Sequence, residues 1–187
     1  KFIQNGFPGK KNEDWKFLDI NQAIKSKIHN LDYFNENLPN ELDPKIYLVG
    51  LEHNKIVFIN GRMEKIDFKY EESGKFEIKD QVDNEDLLHN VNSLVDLNSA
   101  FTNKYYKILI KEGYSFKKPL IIYNLTSNKI SSKNINIRLD FDLKSNSSLK
   151  IIDYSIDKSE KNFVNIVYNF NLAKDEILKN FKLDKEE

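Results

Sequence analysis

Apolar positions follow two periods along this chain. Over the first third, Trp15, Leu18, Ala23, Ile24 and Ile28 recur at helical spacing and predict a helix over about 12–28. Asn12 is its candidate N-cap, and Glu13 and Asp14 suit the positive end of the helix dipole. A second short helix is expected within Asn30–Asn37. Leu38–Pro44 holds two prolines and reads as a connector. Lys45–Leu51 and Lys55–Asn60 are rich in β-branched and aromatic residues and predict a hairpin through Gly50 and Asn54. Asn60-Gly61 is a strong turn signal. Lys65–Tyr70 alternates apolar and polar residues as a half-buried strand does, and Phe76–Ile78 adds a short strand. These strands are expected to form a small, largely antiparallel sheet. From Asn84 to about Ala100 the helical period returns in Leu87, Leu88, Val91, Leu94, Val95 and Leu97, capped by Asp83 or Asn84.

The stretch LNSAFTNKYYKILIKEGYSFKKPLIIYNL, starting at Leu97, then ends the helix and opens a succession of strands. Strands are expected at Lys104–Ile110, Pro119–Asn124, Asn134–Phe141, Ser148–Tyr154, Asn162–Phe170 and Glu176–Leu183. Ile135, Ile137, Leu139 and Phe141 alternate cleanly with Asn136, Arg138 and Asp140. The segment DEILKNFKL fits either period and is assigned as strand because its neighbours are strands. The strand centres fall roughly 14 residues apart, wider than in simple sandwiches, which suits a coiled sheet whose turns each supply two or three strands.

Composition narrows the function more by exclusion than by assignment. A chain of 187 residues supports one sizeable domain, or one domain with an appendage. Lys+Arg and Asp+Glu balance at 29 each, so no electrostatic footprint for nucleic acid or an acidic membrane is expected. There is no cysteine, which excludes disulfides and thiolate chemistry in this segment. No apolar run approaches a membrane span, and the first residues lack a signal-peptide core; a cytoplasmic protein is the simple expectation. The first residue is not Met, so a fragment or processed product is expected.

Chemistry is sparse. The six glycines are scattered, with no phosphate-binding loop, GxSxG or HExxH. His29, His53 and His89 lie far apart and read as exposed. Trp15 reads as a packing anchor. Asp140 and Asp142 would share one strand face and could serve acid/base chemistry on a polysaccharide. Alternation favours the plainer reading, that they are solvated outward residues between the buried Leu139, Phe141 and Leu143. Tyr105-Tyr106 and Tyr114–Phe116 could form a binding face, or cover the end of the sheet where the helix packs.

Several segments together resemble the SufD family of the SUF iron–sulfur cluster assembly system. GFPGKKNEDWKFLDI resembles that family's opening element, with Pro8, Lys11, Glu13, Trp15, Lys16 and Phe17 in the matching places. VFINGRM resembles its strand ending in an Asn-Gly turn. Leu97-Asn98, Ala100-Phe101 and the two strands after them, with Pro119 opening the second, resemble the lead into its core. NSSLKIIDYS resembles a rung bearing an acidic residue, here Asp153.

The resemblance implies a mainly β fold: a helical and α+β N-terminal region over 1–100, then the first rungs of a right-handed parallel β-helix over 101–187, truncated. It implies a non-catalytic scaffold subunit that pairs with SufB-like and SufC-like proteins, the latter an ATPase. The iron–sulfur cluster is then assembled on the full complex, and no cofactor is bound by this segment. Family members are far longer, and their functional positions near the partner interface lie beyond this chain, so no catalytic, cofactor-binding or metal residue is carried over. A coil cut in its early rungs is expected to self-associate through its open end or to be of low stability. The rival expectation is a polysaccharide-active or sugar-binding β-helix protein using Asp140 and Asp142.

Overall fold

The computed structural model describes residues 20–27, 48, 50–81, 93–102, 104–157 and 161–186. They form two helices, α1 (Ile20–Lys27) and α2 (Ser93–Phe101), and nine strands. The strands are β1 (Asn54–Ile59), β2 (Arg62–Asp67), β3 (Phe76–Gln81), β4 (Tyr105–Ile110), β5 (Leu120–Thr126), β6 (Asn134–Leu143), β7 (Ser148–Asp157), β8 (Phe163–Leu172) and β9 (Ile177–Glu186). The protein is therefore mainly β, as expected. No helix among the described residues is long and apolar enough to cross a membrane.

Two sheets carry the fold. The first has the order β2-β1-β5-β7-β9 and the second β3-β4-β6-β8. From β4 onward each successive strand joins the opposite sheet, and from β6 onward each pairs in parallel with the strand two before it. The antiparallel pairs are β1 with β2 and β3 with β4, at the start of each sheet.

This arrangement follows from which positions are apolar. Leu120 and Ile122 of β5 and Leu139 and Phe141 of β6 face one another across a shared core. Each such side chain, fully buried, contributes about 1.5–3 kcal/mol. The outer face of the first sheet carries a second cluster around Val57, Ile121, Tyr123 and Tyr154. With both faces covered, β5 (LIIYNLT) is buried at every position, so its sequence is a continuous run rather than an alternation.

The turns stack as regularly as the strands. The register from β4 to β6 to β8 makes Gly113, Asn146 and Asp175 equivalent, and all three have positive φ (70°, 59° and 60°). Gly, Asn and Asp tolerate that left-handed region best. The chain bends identically each time, and the Gly113 and Asn146 amides donate to the carbonyls of Ser145 and Lys174 in the next turn, at 2.9 and 3.3 Å.

Several expectations need adjustment. The early strands are not a separate antiparallel sheet: β1 lies beside β5 in one sheet, and β3 beside β4 in the other. Asn60-Gly61 does form the β1–β2 turn, with φ of 50° and 84°. Because a two-residue turn fixes the register, β2 starts at Arg62 and ends at Asp67, earlier than the expected Lys65–Tyr70. Phe68 leaves the strand and stacks on Phe76 at 4.9 Å. The ambiguous DEILKNFKL is strand, in β9. The helix over 12–28 is described only as α1, and the helix from Asn84 only as α2. The second helix at Asn30–Asn37 lies outside the described residues. Of Lys45–Leu51 only Leu48, Gly50 and Leu51 are described, and none is in a strand.

Candidate functional site

Among the described residues, a group of polar side chains meets inside the apolar interior where β5, β7 and β8 converge. The inward row of β5 runs Leu120, Ile122, then Asn124; that of β7 runs Leu149, Ile151, then Asp153 and Ser155. Asn124 and Asp153 are both buried. From the opposite sheet Tyr168 of β8, the register neighbour of Leu139, reaches the same point.

The hydrogen bonds of this cluster are mutually determined. Asn124 Nδ2 donates to Asp153 Oδ1 at 2.7 Å and to Tyr168 Oη at 3.0 Å. Ser155 Oγ donates to Asp153 Oδ1 at 3.5 Å. The Tyr168 hydroxyl hydrogen-bonds Asp153; burial first, and the Asp153 charge second, push its pKa far above the usual phenol range. Tyr168 therefore keeps its proton at any physiological pH and donates it to the carboxylate. Asn124 Oδ1 is left buried with no partner. The amide cannot be turned round, because its oxygen would then face the Asp153 carboxylate, which can only accept.

A cavity of about 190 Å³ adjoins the cluster. Ile135 and Ile137 of β6 and Val164 and Ile166 of β8 form one wall. Asn124, Thr126, Ser155 and Lys182 form the other. Lys182 of β9 is the register neighbour of Asp153. Gly61, at the β1–β2 turn, closes one end. The arrangement can hold a small molecule and fix a proton; the carboxyl and phenol are engaged with each other.

The residues singled out in the sequence are dispersed. Asp140 and Asp142 do share one face of β6, but on the outside of the second sheet, each held by cations. Asp140 accepts two bonds from Arg138, at 2.9 and 3.1 Å, and that guanidinium lies 4.9 Å from the Tyr105 ring centroid. Asp142 meets Lys144 at 2.9 Å and Lys107 at 3.5 Å. His53 is half-buried rather than exposed: its Nε2 lies 3.0 Å from Tyr123 Oη and its Nδ1 2.6 Å from the Leu51 carbonyl. His29, His89 and Trp15 lie outside the described residues. Tyr106 packs edge-on against Phe58 inside the core. Phe116 packs edge-on against Phe68 and Phe76, and Tyr114 packs edge-on against Phe116. Among the described residues no three His, Asp or Glu side chains gather in a metal-binding group.

At the far end, β9 and β8 are the last strands of the two sheets, and no described strand pairs with their outer edges. On the outer face of β9, Ile177, Phe181 and Leu183 are exposed, next in register to Ser148, Ile152 and Tyr154.

No family model matches the chain. Among curated proteins, the iron–sulfur cluster assembly protein SufD of Escherichia coli (strain K12) is similar, with 21% identity over 189 aligned residues. That match takes in 98% of this chain and 44% of the E. coli protein, so the chain spans less than half the length of its relative. Over nearly all its residues, then, the chain is distantly similar to a SufD protein.

Proposed function

We propose that the chain is part of a non-catalytic scaffold subunit for iron–sulfur cluster assembly, working beside SufB-like and SufC-like proteins in the cytoplasm. The observation that carries this reading is the similarity to E. coli SufD over 98% of this chain. The alternation of successive strands between two stacked parallel sheets supports it, being what the first rungs of a parallel β-helix require. In this reading the cluster is cargo of the complete assembly and no cofactor resides in this segment. The pairing of Asp140 with Arg138 and of Asp142 with Lys144 supports a scaffold over a sugar-cleaving enzyme, because both acids are already neutralised.

Tagged co-purification from the native cell, using the complete reading frame, tests the proposal. A SufB-like protein and a SufC-like ATPase should elute in fixed ratio. Recovery of the intact protein without either would remove the reading.

A further inference from the structure

We propose that Asn60-Gly61 is a latent modification site, a turn able to deamidate itself, and that Ser127 keeps it closed in the folded chain. The chemistry needs only water. The Gly61 backbone nitrogen attacks Asn60 Cγ, and a C–N bond forms. The proton of that nitrogen leaves with the side-chain nitrogen as ammonia. Water then opens the cyclic succinimide at either carbonyl, giving aspartate or isoaspartate. Glycine is the successor that hinders the attack least, because no Cβ stands beside its nitrogen. The chain has two Asn-Gly pairs, and the other, Asn5-Gly6, lies outside the described residues.

The folded turn denies this reaction its freedom. Ring closure needs Cγ and the Gly61 nitrogen to meet at about 3–3.5 Å in the right orientation, and neither group is free to search for that geometry. One residue fixes the Asn60 carboxamide at both ends. Its Oδ1 accepts from the Ser127 amide at 2.9 Å, and its Nδ2 donates to Ser127 Oγ at 3.2 Å. A backbone N–H can only donate, so these bonds also fix which end of the amide is which. The backbone is held as well. The Asn60 amide donates to the Leu125 carbonyl at 2.8 Å, and the turn lies between the paired Ile59 and Arg62. Asn60 is 8% exposed, which limits the base and water that the reaction also needs. Ser127 comes from 67 positions along the chain, and it stands here because β1 and β5 lie side by side. The coil itself therefore sets the guard. Isoaspartate would add one atom to the backbone of a two-residue turn and so shift the β1–β2 register that this turn fixes.

The test is to age the full chain in mildly alkaline buffer, folded and in urea, and to follow aspartate and isoaspartate at position 60 by peptide mass spectrometry. Asn60 should convert in urea, and at least about tenfold more slowly in the folded chain, where reaction waits for local opening. Ser127→Ala removes the acceptor of Nδ2 and should speed conversion in the folded chain about fivefold, the population change that one neutral hydrogen bond is worth. Asn165→Ala loosens the fold at α2 instead and should leave the rate within about twofold of wild type, because the two sites share no partner. No conversion in urea overturns the site. Comparable rates in the folded and unfolded wild type overturn the protection. A Ser127→Ala rate equal to wild type removes Ser127 from the role. Equal acceleration by Asn165→Ala shows that reaction runs through general loosening, and overturns the guard as well.

Discussion

Asn98 of α2 donates to the backbone of Asn165 in β8, and the Asn165 side chain donates back to the backbone of the helix. Asn98 Nδ2 donates to the Asn165 carbonyl at 2.9 Å and to the Ile137 carbonyl at 3.0 Å. Asn165 Nδ2 returns a bond to the Leu94 carbonyl, also at 2.9 Å. The helix is thus fastened to β6 and β8 of the second sheet through two side chains, and Asn98 is fully buried. Thr102 Oγ1 completes the fastening by donating to Asn98 Oδ1 at 3.1 Å.

Removing either amide strands carbonyl acceptors away from water. Asn98→Ala should lower the unfolding free energy by about 2–4 kcal/mol, and Asn165→Ala by about 1–2 kcal/mol, since it leaves one carbonyl rather than two. The double variant should cost less than the sum, because the pair shares one interface. Urea unfolding of the four proteins measures this; additive losses would contradict a shared fastening.

Tyr168 gives the fold an alkaline limit. Its folded-state pKa is raised, so the unfolded chain loses this proton first, near the ordinary tyrosine value of about 10. The stabilisation is complete below that pH and is lost as pH rises from there toward the folded value. Each pH unit in that window should remove about 1.4 kcal/mol through this group. Tyr106 and Tyr114 are raised too, chiefly by burial, and steepen the same limb. Tyr168→Phe should flatten the fall above about pH 10 while costing about 1–2 kcal/mol at neutrality. Parallel melts from pH 7 to pH 11 give both quantities, and an unaltered alkaline slope would sink the assignment.

Gly61 is held by conformation and contact together. Its φ is +84°, and a Cβ there would lie 2.8 Å from Ile135 Cγ2. Gly74, with φ of +76°, has the same backbone but open space around it. Both Gly→Ala changes should cost about 1–2 kcal/mol for the strained φ. Gly61→Ala should cost more, because Ile135 must shift. Equal losses in thermal melts would mean that the contact is relieved for free.

How far the sequence discloses this fold depends on the residue. Alternation locates β6, and Asn60-Gly61 locates the first hairpin, because both signals are local. The sheet to which each strand belongs is not local. β1 and β5 are more than sixty positions apart, and nothing in either run names the other. The polar cluster was half legible. Asp153 stood out through the family resemblance, whereas Asn124 and Tyr168 sit in ordinary apolar runs and acquire meaning only when three strands converge. Their one signal is a polar residue on the inward row of a buried strand. That row can be identified only after the pairing is known. The acids that look most chemical, Asp140 and Asp142, alternate outward, and Arg138 and Lys144, which neutralise them, lie two positions away in the sequence, Lys144 just past the end of β6.

The last strand should govern association. β9 ends the first sheet, and no described strand pairs with its outer edge. An unpaired edge of this length templates further pairing unless charge or shape prevents it. Its outer face adds Ile177 and Phe181, 58% and 57% exposed, so both the backbone edge and the side chains favour a partner. Lys179 lies between them and partly opposes this. The chain of 187 residues should therefore self-associate at micromolar concentration. Phe181→Lys should shift it toward monomer without loss of fold, since the side chain is already outside the core. Sedimentation velocity across a concentration series, with circular dichroism as the check on folding, decides the matter. A wild-type chain that stays monomeric and melts cooperatively at high temperature would show that the edge is self-protected.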